Sequence, residues 1–259
     1  MSLMVNACYA VEDEPKPENV IEFAFVADHD GSKQKYVLIM PSDFDKDQSV
    51  DALIALHGHG SDRWQFVRQP RDECRAARDV ATANKMIFVS PDYRSPTSWM
   101  GPAAEADMSQ IIELLKKEFR LKRVILCGGS MGGTGALTFT ARHPKLIDGV
   151  VSLNGTANLV TYDRFQDAIA ESFGGSKQLV PEQYRQRSAE FFPEQFAMPI
   201  AVTTGGKDDI VPPDSVLRLL KIVSQRNPNA LSLHRPEGDH STNYADTRTA
   251  LEFVISRAR

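Results

Sequence analysis

The hexapeptide Gly128-Gly129-Ser130-Met131-Gly132-Gly133 joins the apolar run Val124 to Cys127 to a stretch of helical periodicity that begins at Gly132. A serine in G-x-S-x-G spacing at a strand-to-helix turn is the arrangement that exposes a nucleophilic hydroxyl. The glycines suit it because such a turn strains the backbone and brings neighbouring elements too close for side chains. At the start of a helix, Ser130 also lies near the helix dipole and the backbone N–H of Met131. Both would stabilise an oxygen that turns negative during acyl transfer. The Gly-Lys-Ser/Thr ending of a phosphate-binding loop is missing.

A serine hydroxyl needs a general base, and the base needs an orienting acid. Glu237-Gly238-Asp239-His240-Ser241 follows the last strand-like run and offers His240 as that base. Gly205-Gly206-Lys207-Asp208-Asp209-Ile210-Val211-Pro212-Pro213 offers the acid. Either aspartate can serve; Asp208, four residues before Pro212, is the choice, with Asp209 left as a solvated charge or loop cap. Leu56-His57-Gly58-His59-Gly60 ends a third run, where the backbone N–H of His59 is the second expected oxyanion donor and His57 braces the loop. Tyr93 and Trp99, just after a fourth run, are the candidate substrate contacts, with packing beneath a neighbouring segment equally open. His29, His143 and His234 are read as structural or solvated.

Such residues need strand ends to hold them. From Val20 onward, short apolar runs alternate with helical periodicity, which implies an α/β sheet. Ile21 to Ala27 and Tyr36 to Met40 flank a turn-rich segment and predict an antiparallel hairpin at one edge. Six further strands are expected at 52–56, 86–90, 124–127, 149–153, 200–204 and 231–233, near-continuously apolar and therefore buried on both faces. Helices at about 72–83, 103–119, 132–142, 214–225 and 242–257 make the connections between parallel strands. The stretch 156–198 is too long for one crossover helix and reads as a cap-like insertion, either a cover for the site or packing decoration.

A length of 259 residues fits one large α/β domain, assigned to residues 20–259. Residues 1–19 read as a tag or leader remnant, with Met1-Ser2-Leu3 resembling a cloning scar, and leave export to the periplasm or medium open beside a cytoplasmic location. Thirty basic against 34 acidic residues, with no dense Lys/Arg cluster, argues against nucleic acid as a partner. The three cysteines, Cys8, Cys74 and Cys127, lack zinc or redox spacing. No metal or other cofactor is called for, no apolar run is long enough to span a bilayer, and the oligomeric state is not legible.

Taken together, these motifs resemble the α/β-hydrolase superfamily over nearly the whole chain, in the order Ser, Asp, His. The opening hairpin, the Leu-His-Gly-His-Gly loop, Pro91-Asp92-Tyr93-Arg94 and Tyr184-Arg185-Gln186-Arg187-Ser188 are similar to features of esterases of the feruloyl, acetylxylan and polyhydroxybutyrate-depolymerase kinds, and of prolyl-oligopeptidase-like hydrolases. The resemblance implies an eight-stranded, mostly parallel sheet with the second strand antiparallel and helices on both faces. It further implies a serine esterase working through an acyl-enzyme on a small-molecule or carbohydrate-linked ester. The alternatives are a serine peptidase or aminopeptidase, which needs acidic groups to hold a peptide N-terminus, and a non-catalytic binding protein on the same fold.

Overall fold

The computed structural model describes residues 19–259. The leader reading and Cys8 therefore lie outside the described residues, save for Asn19, whose side-chain amide donates to the Met40 carbonyl at 3.1 Å. Eight strands form one sheet: β1 (Val20–Val26), β2 (Lys33–Ile39), β3 (Val50–Leu56), β4 (Ile87–Pro91), β5 (Leu121–Gly129), β6 (Gly149–Leu153), β7 (Ile200–Gly205) and β8 (Ala230–Arg235). Their order is β1-β2-β4-β3-β5-β6-β7-β8. β2 pairs antiparallel with both β1 and β4, while β3 to β8 run parallel. The expected edge hairpin and the antiparallel second strand are both present.

The helices are α1 (Gln65–Arg68), α2 (Asp72–Ala83), α3 (Pro102–Glu118), α4 (Met131–Arg142), α5 (Gln166–Phe173), α6 (Pro181–Gln186), α7 (Asp214–Val223) and α8 (Tyr244–Arg257). Alternation along each strand separates the core into two layers, because successive side chains point to opposite faces. Ala52, Ile54 and Leu56 of β3 belong to the same core layer as Met108 and Ile111 of α3, Leu137 of α4 and Leu219 of α7. Leu53 and Ala55 face the other way, onto Ala77 and Val80 of α2 and Leu251 and Val254 of α8. Burial on both faces is why β3, β4, β6 and β7 read as unbroken apolar runs, whereas β8, expected to be buried likewise, lies at the edge of the sheet and exposes Ser232, His234 and Arg235.

The departures from expectation have local causes. α1 has only four residues, too few to show periodicity. β2 begins at Lys33, three residues before the expected start, because the polar Lys33-Gln34-Lys35 pairs with β1 at the edge of the sheet. α8 starts at Tyr244 rather than Thr242, since the Asn243 side chain caps it by accepting from the Asp246 N–H at 2.9 Å. The stretch 156–198 holds α5, α6 and two single 3₁₀ turns, Ala189–Phe191 and Pro193–Gln195. Its Tyr162, Phe173 and Tyr184 are buried, so most of its aromatic surface goes into packing.

Cys74 and Cys127 are buried and free, and burial pushes the Cys74 thiol up to about 12, far from a reactive thiolate. Among the described residues, no helix is long and apolar enough to cross a membrane.

Candidate active site

Ser130 sits between β5 and α4 with φ 57° and ψ −118°. A non-glycine residue keeps such angles only where its surroundings enforce them. Two close approaches do so. A Cβ on Gly128 would lie 2.4 Å from the Gly132 carbonyl oxygen, and one on Gly132 would lie 2.1 Å from the Leu56 carbonyl oxygen. The Ser130 N–H is held by the Leu153 carbonyl of β6 at 2.8 Å. The sharp turn thus packs against β3 and β6, and the hydroxyl is presented at the C-terminal rim of the sheet.

The loops after β7 and β8 are tied to each other before either reaches the serine. Gly206 N–H donates to the Arg235 carbonyl and Lys207 N–H to the Gly238 carbonyl, both at 2.8 Å. Asp208 and His240 are thereby brought within 2.7 Å, from Oδ2 to Nδ1, and His240 Nε2 stands 2.8 Å from Ser130 Oγ. Asp208 Oδ1 accepts from the N–H groups of Ile210 at 3.0 Å and Val211 at 2.8 Å. Burial favours a protonated Asp208, but hydrogen bonds from His240 and the Val211 N–H outweigh it and hold the carboxyl below its ordinary range. An ionised carboxylate only accepts, so the proton of neutral His240 belongs on Nδ1 and the Nε2 lone pair faces the serine. Asp209 is exposed, its carbonyl accepting from Arg164 at 3.1 Å, and Ser241 Oγ donates to Asp239 Oδ1 at 2.6 Å, bracing the loop.

Among the described residues, the backbone N–H groups of Met131 and His59 donate to no protein acceptor. His57 is fully buried, with Nδ1 2.8 Å from the Gly58 carbonyl and Nε2 3.0 Å from the Asp92 carbonyl, which fixes the loop. Burial keeps both His57 and His59 below the usual imidazole pKa.

A cavity of about 400 Å³ opens over Ser130 and His240, walled by His59, Gln65, Phe165 and Ile210. Tyr93 and Trp99, expected at this wall, do not line it. Tyr93 is 1% exposed, with its hydroxyl donating to the His57 carbonyl at 2.5 Å, and Trp99 is 0% exposed. Both lie in the loop after β4, and Trp99 packs against the stretch 156–198, its ring centroid 5.7 Å from that of Tyr162. Trp99 touches the lining at one remove, donating from Nε1 to His59 Nδ1 at 3.2 Å and packing on Phe165, whose ring centroid lies 5.4 Å away. Phe165 is the aromatic side chain at the mouth, in left-handed backbone at φ 54° and 4.4 Å from the His59 ring.

Sequence reasoning missed Asn154, buried at the end of β6 and hydrogen-bonded to Asp208 and to the loop of His240. Its one signal is the pair Asn154-Gly155 after a strand. Among the described residues, no group of three or more His, Cys, Asp or Glu could hold a metal.

Residues 100–254, well over half of the chain, match the profile of the prolyl oligopeptidase family. The chain belongs to the prolyl oligopeptidase family. Membership places it among the α/β-hydrolase serine hydrolases, which include both esterases and peptidases. No curated protein matches it.

Among solved structures, it is similar to the Staphylococcus aureus fluorophosphonate-binding serine hydrolase FphF (TM-score 0.67, 19% identity, 92% of this chain and 96% of that one). It is also similar to an S-formylglutathione hydrolase from Agrobacterium tumefaciens (TM-score 0.68, 16% identity, 93% and 95%). A Bacteroides ovatus protein assigned as a dipeptidyl aminopeptidase IV superposes with TM-score 0.71 at 17% identity over 92% of this chain and 35% of that one. This prolyl oligopeptidase family member thus spans about a third of the length of that peptidase, and 64% of a thermostable esterase of the same fold. At these identities the likenesses establish the α/β-hydrolase fold.

Proposed function

We propose that this protein hydrolyses carboxylic esters through an acyl-enzyme, with Ser130 as nucleophile, His240 as general base and Asp208 as the orienting carboxylate. The reading is carried by the unbroken relay from Ser130 Oγ to His240 Nε2 at 2.8 Å and from His240 Nδ1 to Asp208 Oδ2 at 2.7 Å. Ser130 Oγ attacks the ester carbonyl carbon as its proton passes to Nε2, and the oxyanion is met by the N–H groups of Met131 and His59. Collapse expels the alkoxide, which takes the proton from His240. Water then attacks the acyl-enzyme with His240 again as base, releasing the acid and restoring the serine.

The choice of ester over peptide rests on the cavity wall. Its one acid among the described lining residues is Glu73, and Glu73 is already paired with Arg71 at 2.7 Å. A peptide N-terminus would find no free carboxylate there. The family match favours a second reading, a serine peptidase using the same three residues. Parallel assays on p-nitrophenyl acetate and on aminoacyl p-nitroanilides separate the two. The ester reading expects turnover of the acetate with little of the anilides, and the reverse ranking defeats it.

A further inference from the structure

β6 lies between β5, which presents Ser130, and β7, which presents Asp208. Its last residue, Leu153, and the one that follows, Asn154, touch both neighbours. The Leu153 carbonyl holds the Ser130 N–H at 2.8 Å. The next residue, Asn154, is 5% exposed and sits at φ 50°, a left-handed conformation that asparagine tolerates better than most side chains.

The polar contacts of Asn154 divide by chemistry. On one side, its amide N–H group donates to Asp208 Oδ2 at 3.4 Å and to the Asp239 carbonyl at 3.2 Å. On the other, its Oδ1 accepts from the hydroxyls of Thr203, at 3.2 Å, and Thr242. A carboxylate and a carbonyl can only accept, whereas threonine hydroxyls can donate, so these partners fix which way the amide points. Asp208 Oδ2 is the same oxygen that accepts from His240 Nδ1, and Asp239 is the residue before His240. The Asn154 N–H also donates to the Thr203 carbonyl of β7 at 3.0 Å.

We infer that Asn154 is a positioning residue for catalysis: one side chain clamps the acid and the histidine loop together and keeps Asp208 Oδ2 aimed at the imidazole. The inference rests on the reading of Ser130, His240 and Asp208 given above. Asn154→Asp is the sharpest probe, because it keeps the size and the left-handed tolerance but turns a donor into an acceptor facing two acceptors. Asn154→Gly removes the clamp while fitting the same backbone.

Both variants, with Ser130→Ala as control, are assayed on p-nitrophenyl acetate, with active sites counted by fluorophosphonate labelling so that misfolded protein is not scored. Both should lose roughly tenfold or more in kcat per labelled site with KM little changed, the scale of a lost hydrogen bond to a charged group. The added negative charge of Asn154→Asp should also move the acid limb of kcat/KM upward by about one pH unit. A merely structural asparagine would lower the yield of labelled sites and leave that limb in place. If Ser130→Ala is inactive while both Asn154 variants turn over like the parent with an unmoved limb, this inference alone is overturned. If Ser130→Ala remains active, the reading beneath it falls too.

Discussion

The two ends of the parallel strands can be compared directly, because each holds a cavity. At the C-terminal ends of β5, β7 and β8 the cavity is about 400 Å³ and contains Ser130 and His240. At the other end, beneath the start of β6, β7 and β8, a cavity of about 850 Å³ is lined by Ile147, Pro199, Ile222, Asn229 and their neighbours. The larger one has no serine, cysteine or histidine among its described lining residues. Volume therefore does not pick out the cavity that holds the Ser130–His240–Asp208 relay. In a parallel α/β sheet, the chain leaves each strand toward a helix N-terminus, so free N–H donors and the positive ends of helix dipoles gather at one rim. The N-terminus of α4 at Ser130 is such a point, whereas the far cavity is bordered by Val223 and Arg257, the last residues of α7 and α8.

The contrast can be broken most forcefully at the small cavity. Ser130→Ala and His240→Ala should each lower kcat by on the order of 10⁴- to 10⁶-fold, as for groups that act as one unit, measured by steady-state ester hydrolysis. Asp208→Asn should cost about 10⁴-fold, through the wrong imidazole tautomer, with KM nearly unchanged.

Away from both cavities, effects should fall on stability instead. Glu105 of α3 is paired with Arg142 at 2.8 Å and with the buried Arg187 at 2.6 Å. Burial alone would raise its carboxyl, but hydrogen bonds from His143 and Arg142 and the charge of Arg187 hold it at about 2, against a usual 4.5. A depressed pKa adds stability that is fully present above the usual value and is lost as pH falls toward 2. Glu105→Gln should cost about 3 kcal/mol at pH 7, by stranding a buried guanidinium. It should also flatten the fall in stability between pH 4.5 and 2, as read from urea unfolding.

Smaller effects sharpen the comparison. Phe165→Ala should lower kcat/KM about fivefold, mostly through KM, because about 1 kcal/mol of apolar contact at the mouth is lost. Ile222→Ala, in the larger cavity, should leave kcat/KM within about twofold, as an exposed substitution far from the reacting atoms.

Much of this was legible in the sequence, for identifiable reasons. Ser130, Asp208 and His240 each follow a strand-like apolar run, so a parallel sheet carries all three to one rim. Choosing Asp208 over Asp209 depended on loop position alone, and the difference in their surroundings appears only in three dimensions. Tyr93 and Trp99 also follow a strand, but their backbone turns to φ 31° and 43°, folding the loop inward, and no composition signal announces that. Asn154 carries no such signal, because its partners, Asp208 and Asp239, are 54 and 85 residues away. For the stretch 156–198 the sequence leaves cover and packing open; Tyr162, Phe173 and Tyr184 pack, and Phe165 reaches the mouth.

The central claim is that the hydroxyl of Ser130 is the activated nucleophile at this rim. Incubating the protein with a fluorophosphonate and mapping the adduct by mass spectrometry tests it most directly. The account predicts one adduct per chain on Ser130, lost in Ser130→Ala and strongly slowed in His240→Ala. An adduct on another residue, or labelling of Ser130→Ala at the parent rate, would contradict it.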